Sequence, residues 1–542
     1  VNRGDGTSSG LTGDFVLQDN QRLLGQGTMH TYTSTEGTFV LPGFTPGVNP
    51  LLGGTVDMFG DNVEVAGFRF STPSTQSAII GSGEDFLIRS VDIMSGDRGI
   101  DLDNATGIGL ITDTTITGTT RDAIHVENYD ATTLDLAIVD TTIADGGEDG
   151  IYVTVDSEAT LNLLMDNVDV SGVAGNGFGT DVSYFDTTLS VDVFDSSFSF
   201  NGGDGFYVER VDDSGFIIEI ADSVFDFNAG NGVNIFSVNG RVPKGMVDIV
   251  RSSLSGNLEN GLRIRGEADV TLDIDLEDNF IVGNGLRGIE VTRDQRVMVN
   301  GVWTRNLIAF NGDLAADPLD GDGVYFSSFG DLVLTDNDIL SNAGDGFDVE
   351  IFGEADVVLD FNGNRINNNG GDAFDFDATP GGLLGGSLLL MDIDASDTRV
   401  SQFNNNGGDG LEFLSGGDAN IIDRTNDRVF VTIDDTEINF NDGRGIDLLT
   451  RQDGEAEYYL NNVQVGGNGE EGIYLVNTSS ATQAQNVPST DPLAADGQVF
   501  LPEAPTTALY IENSEIDANG NTNTLGGVVV RVGTSDGGRG FT

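Results

Sequence analysis

The chain reads as an all-β parallel solenoid built from three-strand coils of about 27 residues. Three observations predict it. A glycine motif, first complete at Asn201-Gly202-Gly203-Asp204-Gly205-Phe206-Tyr207-Val208, returns as NAGNGVNI at 228–235, NLENGLRI at 257–264, NAGDGFDV at 342–349 and NDGRGIDL at 441–448. Its second glycine falls at Gly150, Gly177, Gly205, Gly232, Gly261 and Gly288, in steps of 27, 28, 27, 29 and 27 residues. Between motifs, apolar residues alternate with period two, which is the signature of half-buried strands. A fixed period of this length marks repeats that bury their apolar face only against their neighbours.

One repeat, FIIEIADSVFDFNAGNGVNI at 216–235, shows the elements in order. Phe216, Ile218 and Ile220 alternate as one strand, Ser223 and Phe225 belong to a short second, and Val233 and Ile235 to a third. Three strands and three turns leave no room for a helix. Leucine-rich repeats share the period, but their LxxLxLxxN phrase is missing.

Polar columns run through the repeats. The first is Asn201, Asn228, Asn257, Asn284, Asn311, Asn342, Asn369, Asn406, Asn441, Asn468 and Asn519, each three residues after an apolar one. With coils about 4.8 Å apart, these amides would bond one to the next as a buried ladder. A second column is Ser196, Ser223, Ser252, Asn279, Asn306, Asn337 and Asn364. The residue before the motif glycine makes a third, mostly acidic column, from Asp149 and Asp204 to Asp322, Asp345, Asp372 and Asp409. Stacked carboxylates repel, so Asn176, Asn231, Arg287 and Arg444 in that column read as charge relief.

Composition bounds the function. The net charge of −64 and a single lysine, Lys244, argue against nucleic acid. The same charge argues against an anionic membrane surface, and no apolar run reaches membrane-spanning length. The acid excess suits either a high-salt surface or a calcium-loaded extracellular protein. With no cysteine there is neither a disulfide framework nor a zinc cluster. The chain begins at Val1 without an initiator methionine, which reads as a processed protein or a piece of a larger one.

Strand–turn repeats such as NGGDGFYV resemble those of right-handed parallel β-helices in the pectate-lyase-like superfamily, especially bacterial cell-surface types. The resemblance implies a right-handed coil from about residue 63 to the C-terminus, some 15 to 18 coils at the strand spacing above. Residues 1–62 then form an N-terminal capping or first-coil region, and VLQDNQRLLGQG at 16–27 is similar to the opening phrase of such helices. Loop insertions fall near 238–245, 312–321, 378–387, 415–428 and 477–507.

That superfamily holds lyases, hydrolases, epimerases, adhesins and structural proteins, so fold alone decides no activity. The NTD, GHG and RIK phrases of its polygalacturonase-like hydrolases are absent here, as is the DPHD of its alginate epimerases. Neither His30 nor His125 lies in such a motif. Arg263 and Arg265, with Asp273 and Asp275, are the nearest candidates for a lyase's charge neutralisation. Two residues after the motif glycine stand Tyr152, Tyr207, Tyr325 and Tyr474, which at a regular pitch could stack on a polysaccharide. Asp313, Asp317, Asp320 and Asp322, four carboxylates within ten residues, could form an oxygen cage for calcium. The reading that follows is an extracellular or cell-surface structural or adhesive module, able to self-assemble end to end. The alternative is a polysaccharide-active, lyase-like enzyme or a glycan-binding relative.

Overall fold

The computed structural model describes residues 11–40, 47–183, 186–211, 214–238, 244–267, 270–293, 297–312, 321–352, 356–379, 388–415, 428–451, 455–479, 506–517 and 527–534. They form two compact units, Val1–Asp273 and Ile274–Thr542. Every described element is a strand and none is a helix.

In the first unit, the strand after each motif glycine pairs in parallel with its counterpart one repeat later. Ile124–Asn128, Ile151–Val155, Phe178–Val182, Phe206–Val211, Val233–Val238 and Leu262–Glu267 run in that order. The register joins Ile151 to Phe178, Phe206 to Val233 and Val233 to Leu262, so residues one repeat apart become touching neighbours. Thr106–Thr117, Thr133–Ala144 and Thr160–Ser171 are long strands bent at Asp113, Asp140 and Asn167, where φ is +48°, +48° and +54°. Asp and Asn tolerate this left-handed region better than most residues, which suits them to the corner. The stack already includes Phe15–Leu17 on Val56–Met58 and Arg22–Leu24 on Glu64–Ala66. Among the described residues only Thr31–Ser34 and Gly37–Val40 pair antiparallel, as a hairpin set into this opening region.

The second unit repeats the plan. Phe347–Phe352, Phe374–Thr379, Leu411–Ser415, Ile446–Arg451 and Ile473–Ser479 pair in order in one sheet. A second sheet carries Gly330–Thr335 to Glu455–Asn461, and a third carries short strands such as Asp338–Leu340 and Arg365–Asn367. Alternate residues point inward in files: Phe347, Phe374 and Leu411 line one wall, and Leu359, Met391 and Val431 another, all buried. Trp303, the single tryptophan, is buried in this core and donates its ring N–H to the Ile274 carbonyl at 3.1 Å.

The predicted asparagine ladder is present. From Asn284 through Asn311, Asn342, Asn369, Asn406 and Asn441 to Asn468, each side-chain oxygen accepts both the backbone N–H and the amide N–H of the residue one coil before, at 2.9–3.1 Å. The amide also donates to a carbonyl of the preceding coil, as Asn342 does to Ile308 at 3.2 Å. In the first unit Asn201, Asn228 and Asn257 continue the pattern, while Asn519 lies outside the described residues. The second column is a ladder too. Asn279, Asn306, Asn337 and Asn364 bond as the first does, and Ser196, Ser223 and Ser252 do so through hydroxyls. Each ladder Asn is buried, and an unpaired polar group there would cost about 1–3 kcal/mol.

Candidate functional sites: a carboxylate double file and an arginine-lined cleft

The column before the motif glycine turns out to be a third ladder. Each side-chain oxygen accepts the backbone N–H of the equivalent residue one coil on: Asp149 from Asn176 at 2.6 Å, Asn176 from Asp204 at 2.8 Å, Asp204 from Asn231 at 2.6 Å and Asn231 from Asn260 at 3.1 Å. In the second unit Asp322 serves Asp345 at 2.9 Å, Asp345 serves Asp372 at 2.5 Å, Asp372 serves Asp409, and Asp409 serves Arg444 at 2.5 Å. Carboxylate and amide oxygens accept equally well here, which explains why Asp and Asn interchange along the column.

Two residues past the glycine, a second outward file stands beside the first. In the second unit it is Tyr325, Asp348, Asp375, Glu412, Asp447 and Tyr474, in direct register. Eight carboxylates thus form a double file, with an arginine at each end. Arg287 pairs with Asp322 at 3.1 Å and Glu290 at 3.4 Å and lies over the Tyr325 ring at 4.2 Å. Arg444 pairs with Asp447 at 2.7 Å and Glu471 at 3.2 Å and lies over the Tyr474 ring at 4.2 Å. The charge relief expected of these arginines is real, and it acts at the ends. Between them, among the described residues, Asp345, Asp348, Asp372, Asp375 and Glu412 have no ion-pair partner.

The electrostatic consequence is large. Burial, reinforced by neighbouring carboxylates, pushes Asp348 up to about 8 and Asp375 up to about 9, and raises Asp372 as well. At the ends, burial lifts Asp322 and Asp447 to about 7 although Arg287 and Arg444 pull the other way. Both effects follow from removing charge from water beside like charge. Oxygens of Asp372, Asp375 and Glu412 lie within 4.8 Å of one another.

The first unit carries a different feature on the same turn. A cleft of 390 Å³ is lined by Arg98, Arg121, Asp122, Glu148, Asp149 and Tyr152, among others. Arg98 pairs with Asp101 at 3.0 Å and with Asp122 at 3.3 Å. His125 contacts Asp101 at 2.9 Å through Nδ1 and stacks on Tyr152, ring centroids 5.9 Å apart. Burial lifts Asp149 to about 6.

The tyrosines singled out in the sequence stand in the outward file, half-buried. Tyr207 and Tyr325 donate their hydroxyls to Glu209 at 2.9 Å and Glu350 at 2.7 Å. One face of Tyr152 is covered by His125, and Arg287 and Arg444 cover Tyr325 and Tyr474. Arg265 pairs with Glu267 at 2.9 Å and lies over Phe236. Of the predicted calcium loop, Asp313, Asp317 and Asp320 fall outside the described residues, and Asp322 belongs to the third ladder. Sequence reading missed the pairing of the two outward files, because it treated each column alone.

Residues 235–427 match the family model of the right-handed β-helix region, and the coils are those of a right-handed parallel β-helix. Among solved structures the chain is similar to the A-module of mannuronan C-5 epimerase AlgE4 of Azotobacter vinelandii. That likeness has 12% identity, covers 74% of this chain and 91% of the other, and has a TM-score of 0.28. No curated protein matches the chain in sequence.

Proposed function

We propose that this right-handed parallel β-helix is a structural or adhesive module of an extracellular surface, able to assemble with further copies of itself, rather than a catalyst. The observation that carries the reading is the use made of its polar side chains. Three files of Asn, Asp and Ser bond coil to coil, so the residues that would otherwise be free for chemistry hold the stack together. The outward double file is acidic, which would repel polyuronates and favours a role other than their cleavage. The test incubates the chain with pectin, alginate and related polymers, with and without chelator, while unsaturated product is followed by absorbance. No product is expected, and sedimentation at rising concentration is expected to show self-association. Steady product formation would overturn the reading.

The second reading, a lyase-like or glycan-binding protein, is favoured by one feature, the cleft lined by Arg98, Arg121 and Tyr152, with His125 stacked on Tyr152. Under that reading Arg98→Ala would abolish polymer binding or turnover while leaving the far-ultraviolet dichroism unchanged.

A further inference from the structure

We propose that Asp372, Asp375 and Glu412 bind a divalent cation of the calcium class, with Asp447 completing the oxygen set from the next coil. Three independent observations lead there. First, one oxygen from each of the three residues falls within 4.8 Å of the others, across two successive coils. A hard cation with oxygen ligands at 2.3–2.6 Å fits such a cluster.

Second, Asp447 follows Glu412 in the same register and is only 7% exposed, yet its Oδ1 has no hydrogen-bond partner. Its Oδ2 is held by Arg444 at 2.7 Å. A buried carboxylate oxygen left without a donor costs free energy, and a metal ion in the adjoining cluster would supply what it lacks.

Third, the chain contains its own control. In the first unit the third ladder is made with Asn176, Asn231 and Asn260 as well as Asp, so the ladder itself does not require charge. The unbroken run of Asp345, Asp372 and Asp409 beside Asp348, Asp375 and Glu412 therefore needs another reason. A divalent cation would convert the like-charge repulsion into a cross-link between coils.

The proposal stands whichever role the rod has, and it is tested on the full chain with calcium alone. After chelator treatment, calorimetric titration with calcium is expected to show one saturable site, in the 10⁻⁴–10⁻³ M range typical of extracellular modules or tighter. Calcium is also expected to raise the melting temperature read by Trp303 fluorescence. The double variant Asp375→Asn/Glu412→Gln is expected to weaken that site at least tenfold and to lose the calcium-dependent rise. Because it removes two acidic groups that stand beside like groups with no cation between them, its chelated form at pH 8 should melt no lower than the chelated wild type, which shows that it folds. Asp447→Asn should weaken binding by a smaller factor, and the exposed pair Asp113→Asn/Asp140→Asn should leave it unchanged. Absence of a saturable site in the wild type, or its full retention in the double variant, would overturn the proposal.

Discussion

The same turn of the same coil is built in two chemical versions. In the first unit the outward files read Asp149, Asn176, Asp204, Asn231 beside Tyr152, Gly179, Tyr207, Asn234, and in the second Asp322, Asp345, Asp372, Asp409 beside Tyr325, Asp348, Asp375, Glu412. The backbone register and the N–H bonds to the third ladder are alike in both. What differs is charge: the largely neutral version of the first unit, where Asn176 and Asn231 accept as Asp149 and Asp204 do, shows it to be dispensable for stacking. Geometry and charge are therefore separable here, and each can be altered alone.

The largest effect is expected where the two versions agree. Asn342→Ala removes the acceptor for two N–H groups of Asn311 and the donor to the Ile308 carbonyl, all buried. With about 1–3 kcal/mol for each group left unpaired, urea unfolding should show a loss of roughly 3–5 kcal/mol. Asn228→Ala, which strips Asn201 of its acceptor and Phe198 of its donor in the first unit, should cost a similar amount. A large loss in one unit and none in the other would break the comparison.

The asparagine ladder was legible in the sequence because its partners are identical residues at one fixed spacing. Asn311 and Asn342 announce each other. The third ladder was not, since each side chain there bonds a backbone N–H, which no column of letters displays. Likewise the group of Arg98, Asp101, Asp122 and His125 joins residues from coils that precede the clear motif at Gly150, where the spacing is shorter. The left-handed corner before each ladder Asn was hidden for another reason. It is filled by Gly256, Gly283 and Gly467, but also by Phe200, Phe227, Phe310 and Phe440, with φ from +57° to +61°. An aromatic residue is rare there. The rings of Phe227 and Phe440 lie over the glycines of the next coil, Gly256 and Gly467, and cover the bare turn.

A charge transplanted into the neutral version should have the next-largest effect. Asn231 donates its amide to Asp204 at 2.9 Å and Glu259 at 3.0 Å. Asn231→Asp would set three carboxylates together, and a loss of about 2 kcal/mol at pH 8, recovered toward pH 5, is expected from the buried-charge rule. Equal melting of variant and wild type at both pH values would show that the first unit tolerates the acidic file as well.

The pH profile of the second unit follows with its sign fixed. Asp348, Asp375, Asp322 and Asp447 have folded-state values raised to about 8, 9, 7 and 7, above the ordinary carboxylate range. The folded state then holds more protons than the unfolded one between about pH 4 and 9, so stability is greatest at the acid end and falls as pH rises through those values. Chelated protein followed by Trp303 fluorescence should melt at progressively lower temperature from pH 5 to pH 9. The smallest effect belongs to the corner. Phe440→Gly relieves a left-handed aromatic residue but uncovers Gly467, and the two should nearly cancel, within about 1 kcal/mol.

The most direct test is to write the neutral ladder into the acidic unit. Asp345→Asn/Asp372→Asn keeps every side-chain acceptor for the backbone N–H groups of Asp372 and Asp409 while removing two partly buried acidic groups whose ionisation the fold disfavours. Melted in chelator at pH 8 and followed by Trp303, the double variant should unfold at a higher temperature than the wild type, with its strand content unchanged. A lower melting temperature would mean that the carboxylates themselves hold the coils together, and that charge and geometry are not separable in this fold.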